Sequence, residues 1–456
     1  MPPSNERTWA VTDFLYLQAP LYAFVLGGLF KLSGGYFLLT GRLLTFFLAL
    51  ISAALLWRLL RRLGAGKELA AVLMAACLTS PFLASALSNS RNDALPLTLM
   101  LAGLLLHLAT GRGFWKRMAV ALLFGLAVEA KVSYLFGSAM LGVYALLNAR
   151  ERLWPVLLGT LVAALPAMLC YAAAPEAFRF GLLDIHLTAT PEWYGREGLS
   201  ALLTAPVRLR SLLGWLAMGG NLTLLILAIA LLVTAILQRR SLKAPGGMLA
   251  GLLAGAVVFG FLPSPAWPMY YAAVPPLLAC CITHLYYSTV APIDARAMRI
   301  LIGIAALPLV PMLILNAPDV ANLTRPGLWV GIAAHRTAVA IHEALPPADW
   351  AEGEVATLFP TLVADMSPIR PEFATGPFVF RSGDFYSKTQ LARLHALSPS
   401  TLADAFDRHA PAAIYAGLYR DTWKTPMDAA LIHYAEEHGG HLARTDPDGA
   451  RLWLRP

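Results

Sequence analysis

The sequence predicts an α-helical polytopic membrane protein of about ten transmembrane helices, followed by a soluble C-terminal α/β domain. Three observations carry this. Of 456 residues, 58% are apolar and 14% charged, against about 25% charged in a typical soluble domain. Lysine and arginine recur in short clusters between apolar stretches, a membrane-orientation pattern. From Pro318 onward the long apolar runs give way to strand-like and helix-like segments in alternation.

Taken in order, residues 1–35 form an outer or juxtamembrane segment. Apolar stretches long enough for a span, about 20 residues, then start near Tyr36, Leu69, Ala94, Arg117, Tyr134, Leu153, Leu212, Gly246, Met269 and Met298. Without water in the bilayer core, backbone groups must bond within the segment, so each span is helical. The pair flanking Glu129–Ser133 also fits one re-entrant hairpin. In the C-terminal part, EVATLFP, GPFVFR, AAIYAGLY and ARLWLRP read as strands, and QLARLHAL, STLADAFDRHA and MDAALIHYAEEHGG as helices. Cys77, Cys170, Cys280 and Cys281 all fall in apolar stretches without metal-ligand spacing and read as small core residues.

The basic clusters set the orientation. Arg58, Arg61, Arg62 and Lys67 form one, and Arg112, Lys116 and Arg117 the next. Arg150 with Arg152, then Arg239, Arg240 and Lys243, then Arg296 with Arg299 complete the series. They fall in every second connection, as cytoplasmic loops do. Connections 88–93, 129–133, 174–210 and 263–269 then lie outside, as does everything after about Asn316. The expected organisation is a membrane domain over 1–317, with a long outer loop over 174–210, and an extracytoplasmic domain over 318–456. The composition points to a bacterial cytoplasmic membrane. The first span would run from outside to inside, so either Ala19–Leu32 lies along the outer face or a helix belongs upstream; a shortened start is the favoured expectation. The net charge of +8 is dispersed, which excludes a nucleic-acid partner. Asn221 and Asn322 begin N-x-Thr triplets that carry no weight here.

Four groups of residues could carry chemistry. The run SNSRND puts Arg91 and Asp93 at the mouth of a helix, where ionisable residues are costly and tend to be functional; an Asp93 that only caps the helix is the competing reading. Lys131 in GLAVEAKVSYLF either snorkels to water or holds a phosphate as a point charge, with Glu129 as ion-pair partner or independent acid. The loop LLDIHLTATPEWYGREG gathers Asp184, His186, Glu192 and Arg196, and His186 could ligate a divalent metal or act as base. Trp267, Tyr270 and Tyr271 form an interfacial aromatic belt or offer a hydroxyl to a lipid phosphate.

These stretches together resemble the GT-C superfamily of integral-membrane glycosyltransferases, which includes the protein O-mannosyltransferases (glycosyltransferase family 39) and the aminoarabinose transferases. The resemblance runs from about Leu15 to Leu285. It rests on YLQAPLYAFVLGGLFKLSG followed by GRLLTFFLALISAALLWRLLRRLG, and on SRNDALPLTLMLAGLLLH, GLAVEAKVSYLF and WPMYYAAVPPLLA. It implies a polyprenyl-phosphate-linked sugar donor, a lipid, glycan or protein acceptor, and transfer on the non-cytoplasmic face. Asp93 matches the acid that opens the third helix of such enzymes, Lys131 the lysine on the donor phosphate, Tyr270 or Tyr271 the late tyrosine, and His186, more loosely, an outer-loop histidine; Asp93 and Lys131 are expected to share a wet pocket just beyond the lipid on the non-cytoplasmic side. Gln18 stands where some relatives place an acid. Family members carry their main catalytic aspartate well upstream of the PLY-like motif; here Asp13 is the available candidate and stands close to that motif. A transporter or lipid flippase, and an inactive scaffold of the same fold, are the competing functions.

Overall fold

The computed structural model describes residues 15–109, 113–147, 153–237, 246–287, 295–350, 353–418 and 427–455. Asp13, and the basic residues Arg112, Arg150, Arg152, Arg239, Arg240 and Lys243, lie outside the described residues.

Helix α1 (Leu21–Ser33) stops at Gly34, which takes the left-handed conformation (φ 67°) that glycine adopts without strain. Helix α2 (Phe37–Arg62) is 26 residues long and strongly apolar. Helices α3 (Lys67–Leu78) and α4 (Pro81–Leu87) meet at a 62° bend. There Ser80 is extended and its hydroxyl caps the Phe82 amide, while Pro81 can open a helix but not continue one. After α5 (Ala94–Leu108) and α6 (Phe114–Ala130), a 3₁₀ turn at Val132–Tyr134 leads into α7 (Leu135–Leu147), so Lys131 stands at the join of two helices. Helices α8 (Leu153–Ala163) and α9 (Leu165–Ala173) bend by 45°.

Residues 174–210, expected as a loop, are mostly helical. They hold α10 (Pro175–Arg179), a π-helix at Phe180–Ala189, α11 (Thr190–Arg196) and the start of α12 (Ala205–Leu216). A π-helix breaks the 3.6-residue period, so a periodicity reading passes over it. The bundle continues with α13 (Gly219–Leu237), α14 (Gly246–Phe261), α15 (Val274–Leu285), α16 (Ala295–Ala306) and α17 (Leu309–Asn322). Each expected span thus has its helix. Among the described residues, α2 and α13 alone pass a length-and-apolarity test for crossing a membrane, or four spans if each bent pair counts as one.

The C-terminal part adds α18 (Val330–Ala344), α19 (Pro377–Phe380), α20 (Lys388–Arg393), α21 (Leu402–Arg408) and α22 (Ala429–Glu437). Its strands are β1 (Val355–Ala356), β2 (Ala413–Ala416), β3 (His441–Thr445) and β4 (Arg451–Leu454), in sheet order β1-β2-β4-β3. The pair β1–β2 is parallel and the others antiparallel. Two expectations change. GPFVFR is the short helix α19, because Gly376 takes a positive φ (62°) and Pro377 occupies the first helical position. HLART, too exposed and polar to read as a strand, pairs with β4.

The chain divides into two compact units: Met1–Gly41 with Ala167–Ala201 and Arg325–Pro456, and Arg42–Pro166 with Leu202–Thr324. In the first unit, Leu15, Phe180, Ile185 and Ala189 pack with Val379, Leu391 and Leu394. The chain at Tyr16 passes so close that a Cβ on Gly181 would lie 2.3 Å from the Tyr16 carbonyl. A second cluster joins Ile341 of α18 to Val355, Tyr415 and Leu452 of the sheet. In the second unit, Leu59, Leu73, Phe124, Leu224, Leu252 and Leu277 belong to one core. Small residues let its helices close up: a Cβ on Gly159 of α8 would meet the Met118 carbonyl of α6 at 2.3 Å. Phe46, Phe47, Leu50, Ile51, Leu232 and Ile236 remain exposed on the outside of α2 and α13. That is more apolar surface than water tolerates on a monomer, and suits lipid.

Candidate functional site

In the second unit, α5 begins where SNSRND ends, and Asp93 is the residue before its first turn. Asp93 makes no side-chain cap. Its carboxylate turns away from the helix amides and is fully buried, with Oδ2 accepting from Arg91 Nε at 3.2 Å and Oδ1 bound by Lys131 Nζ. A capping role therefore does not account for Asp93. Lys131 reaches it from the C-cap of α6, in extended backbone (φ −159°, ψ 118°), which throws the side chain across to α5. Asn92 ties the same two elements together by donating to the Ala130 carbonyl at 3.0 Å.

The Lys131 ammonium also stands 5.2 Å from the ring centre of Tyr270, a cation–π distance. Tyr270 belongs to the 3₁₀ turn Pro268–Tyr271 that precedes α15. The adjacent Tyr271 faces the other way: it is fully buried, stacks on Phe82 at 5.1 Å, and its hydroxyl has no protein partner among the described residues. The pair of tyrosines thus splits, and Tyr270 is the one beside Lys131. Tyr134, one 3₁₀ turn beyond Lys131, is within electrostatic reach of Asp93, and its buried hydroxyl is also without a partner among the described residues. Buried hydroxyls in native structures are nearly always satisfied, so an orphan beside an ion pair marks a place for a polar ligand or water. Glu129 is buried on the last turn of α6.

Sequence reasoning passed over Tyr134, and over Arg42 of α2, which donates to the Ser88 carbonyl at 2.5 Å and so holds the start of the SNSRND run. It also passed over Arg208, which closes the end of α14 by donating to the Phe261 and Leu262 carbonyls at 2.9 and 3.2 Å. An arginine outside its basic cluster was the available signal for both.

The remaining candidates lie in the first unit. His186, on the π-helix, has Nε2 3.5 Å from the Leu17 carbonyl. Asp184 pairs with Arg179 at 3.2 Å. Arg196 lies over the Phe385 ring at 4.1 Å, and Arg381 over Trp193 at 4.0 Å, so α11 is clamped to the 377–386 stretch through two cation–π contacts. Glu192 is on the same helix. Among the described residues no three histidine, cysteine or carboxylate side chains converge as a metal would need. Asn221 is buried, accepting from Ser80 Oγ at 2.6 Å and donating to the Trp215 carbonyl at 3.0 Å, which makes it a structural residue.

The family model described as dolichyl-phosphate-mannose-protein mannosyltransferase matches residues 17–178, a stretch that contains α1 to α9 and both Asp93 and Lys131. No curated protein matches the sequence. Among solved structures, ArnT from Cupriavidus metallidurans in the apo state aligns over 96% of this chain and 88% of that one, with TM-score 0.59 at 14% identity. The same protein bound to undecaprenyl phosphate aligns over the same shares, with TM-score 0.57 at 16% identity. The oligosaccharyltransferase of Archaeoglobus fulgidus aligns more loosely, at 12% identity and TM-score 0.46, over 98% of this chain and 68% of that one. The chain has the fold of the GT-C integral-membrane glycosyltransferases.

Proposed function

We propose that this protein is a membrane glycosyltransferase that moves a sugar from a polyprenyl-phosphate-linked donor to a lipid, glycan or protein acceptor at the outer face of the bacterial cytoplasmic membrane. The observation that carries the reading is the buried Asp93–Lys131 pair, flanked by Arg91 and Tyr270, at the mouth of α5. The family match over this stretch supports it, as does the undecaprenyl phosphate bound by the related ArnT fold.

The chemistry asks two things of the protein. A base must take the proton of the acceptor hydroxyl or amine as its heteroatom bonds the sugar's anomeric carbon. A cation must stabilise the polyprenyl phosphate that leaves as the old glycosidic bond breaks. Lys131 and Arg91 supply the positive charge. With no donor bound, Asp93 neutralises it, sparing the site a buried unpaired cation. When the donor phosphate arrives it takes the two cations, and the Asp93 carboxylate is released as an acceptor for a proton. Asp13 stands as a second candidate base, and Tyr134 and Tyr270 as hydrogen-bond donors to the phosphate.

The test is transfer by the purified full-length chain in liposomes, with a panel of polyprenyl-phosphate sugars and radiolabel counted in the acceptor fraction. Lys131→Ala and Asp93→Asn are expected each to abolish transfer. Near-normal turnover in both variants overturns the site. Movement of the labelled lipid across the bilayer without sugar transfer would establish the flippase instead.

A further inference from the structure

A cleft of about 340 Å³ in the C-terminal part of the first unit plays no part in the reading above. Ligand clefts run upward from about 300 Å³. Its floor is apolar, with Leu391, Ala396, Leu397 and Ala405 all buried, and its walls are charged. On one wall Arg370, only 6% exposed, is saturated: it donates to the His409 carbonyl at 2.6 Å and pairs with Glu372 at 3.2 Å. Across the mouth, Lys388 of α20 pairs with Asp404 of α21 at 2.5 Å. Both carboxylates that line the cleft are therefore already matched by cations.

Two donors are left over. Arg408 makes one hydrogen bond among the described residues, from Nε to the Asp404 backbone carbonyl at 2.9 Å, and its terminal nitrogens stay available. The His395 ring makes none among the described residues. His395 is also the one non-glycine residue with positive φ (48°) among them. It ends α20, where Ala396 N closes the turn onto the Leu391 carbonyl at 3.0 Å. That position is ordinarily glycine, because a Cβ is strained there. The ring is exposed on the wall of the cleft and, with no hydrogen bond among the described residues, is free to meet a ligand there; backbone strain of this kind is a starting point for a functional hypothesis.

We propose that this cleft binds a sugar-sized oxyanion, a phosphorylated or carboxylated saccharide, with His395 and Arg408 on its anionic group and the sugar ring on the apolar floor. The alternation of donors and acceptors along the walls suits hydroxyl groups, which act as both. The inference concerns the first unit alone and does not depend on the transfer reaction.

Thermal unfolding of the full-length protein in detergent, titrated separately with glucose 6-phosphate, glucuronate, glucose and inorganic phosphate, tests it. One or both anionic sugars are expected to raise Tm saturably, with the responding one identifying the oxyanion, while glucose and inorganic phosphate at equal concentration do not. His395→Gly is expected to raise the ligand-free Tm, by relieving the strain, and to weaken the anionic sugar at least tenfold. Arg408→Gln is expected to weaken it similarly without raising the ligand-free Tm. No shift from either anionic sugar overturns the proposal, as does an equal shift from glucose or inorganic phosphate, or an undiminished response in His395→Gly.

Discussion

Replacing the Asp93–Lys131 pair by neutral partners separates what it does for the fold from what it does for chemistry. Lys131→Met leaves Asp93 wholly buried with Arg91 at 3.2 Å, a partner whose side chain is 38% exposed. Breaking a buried pair by removing one member costs about 3–5 kcal/mol, and the remaining contact to Arg91 places this variant near the lower end, at about 3 kcal/mol. Asp93→Asn instead strands an ammonium whose side chain is 12% exposed. The Tyr270 ring at 5.2 Å partly compensates it, so a smaller loss of about 2 kcal/mol is expected. With both changes no buried charge is stranded, since Arg91, the cation left over, is 38% exposed, and the double variant should lose about 2 kcal/mol rather than the sum, a coupling of about 3 kcal/mol. Equilibrium unfolding in mixed micelles, followed by circular dichroism, measures all four proteins, and the same preparations are assayed for transfer. The double variant should be more stable than Lys131→Met and no less stable than Asp93→Asn, while transfer stays lost. Additive single costs would refute the buried coupling; a double variant with normal transfer would refute the chemical role.

Two further perturbations probe the scaffold. A Cβ at Gly220 would lie 1.7 Å from the Ala76 carbonyl oxygen, where α13 crosses the end of α3, so Gly220→Ala is expected to cost about 3 kcal/mol, whereas Gly247→Ala, with nothing within 4 Å, should be close to neutral; equal Tm values for the two would contradict the packing. Burial raises the Asp384 carboxyl, but hydrogen bonds from Ser400 and Ser398 and the Arg196 charge outweigh it and hold the group below its ordinary value. A depressed folded value stabilises above the unfolded value of about 4 and is lost as pH falls through the folded one, so Asp384→Asn should flatten the acid limb of the stability–pH curve; parallel curves would refute it.

The helices were legible because apolar length and proline positions act locally. The stretch from Tyr36 becomes α2, and the polar run before Ala94 does end at a helix start. Asp93 and Lys131 could be singled out one by one, since a charge beside an apolar run is conspicuous wherever it points. That they share a pocket is what the sequence already led one to expect; that they bond each other directly, buried instead of wet, was not legible, because 38 residues separate them and Glu129, two residues away, was the nearer partner on paper. The π-helix around His186 escaped because its wider turn leaves no 3.6-residue signature.

The sequence by itself determined that this chain is helical and lipid-solvated, and which polar residues stand at helix ends, because composition and periodicity are properties of contiguous residues. Tertiary structure alone decided that Asp93 bonds Lys131 instead of capping its own helix, that Tyr270 and not Tyr271 faces the ammonium, and that residues near Leu15 and Phe180 share a core with Leu391. The physical reason is the same in each case: a buried charge or apolar side chain takes the partner that removes it best from the surrounding medium, and that partner is chosen by proximity in space.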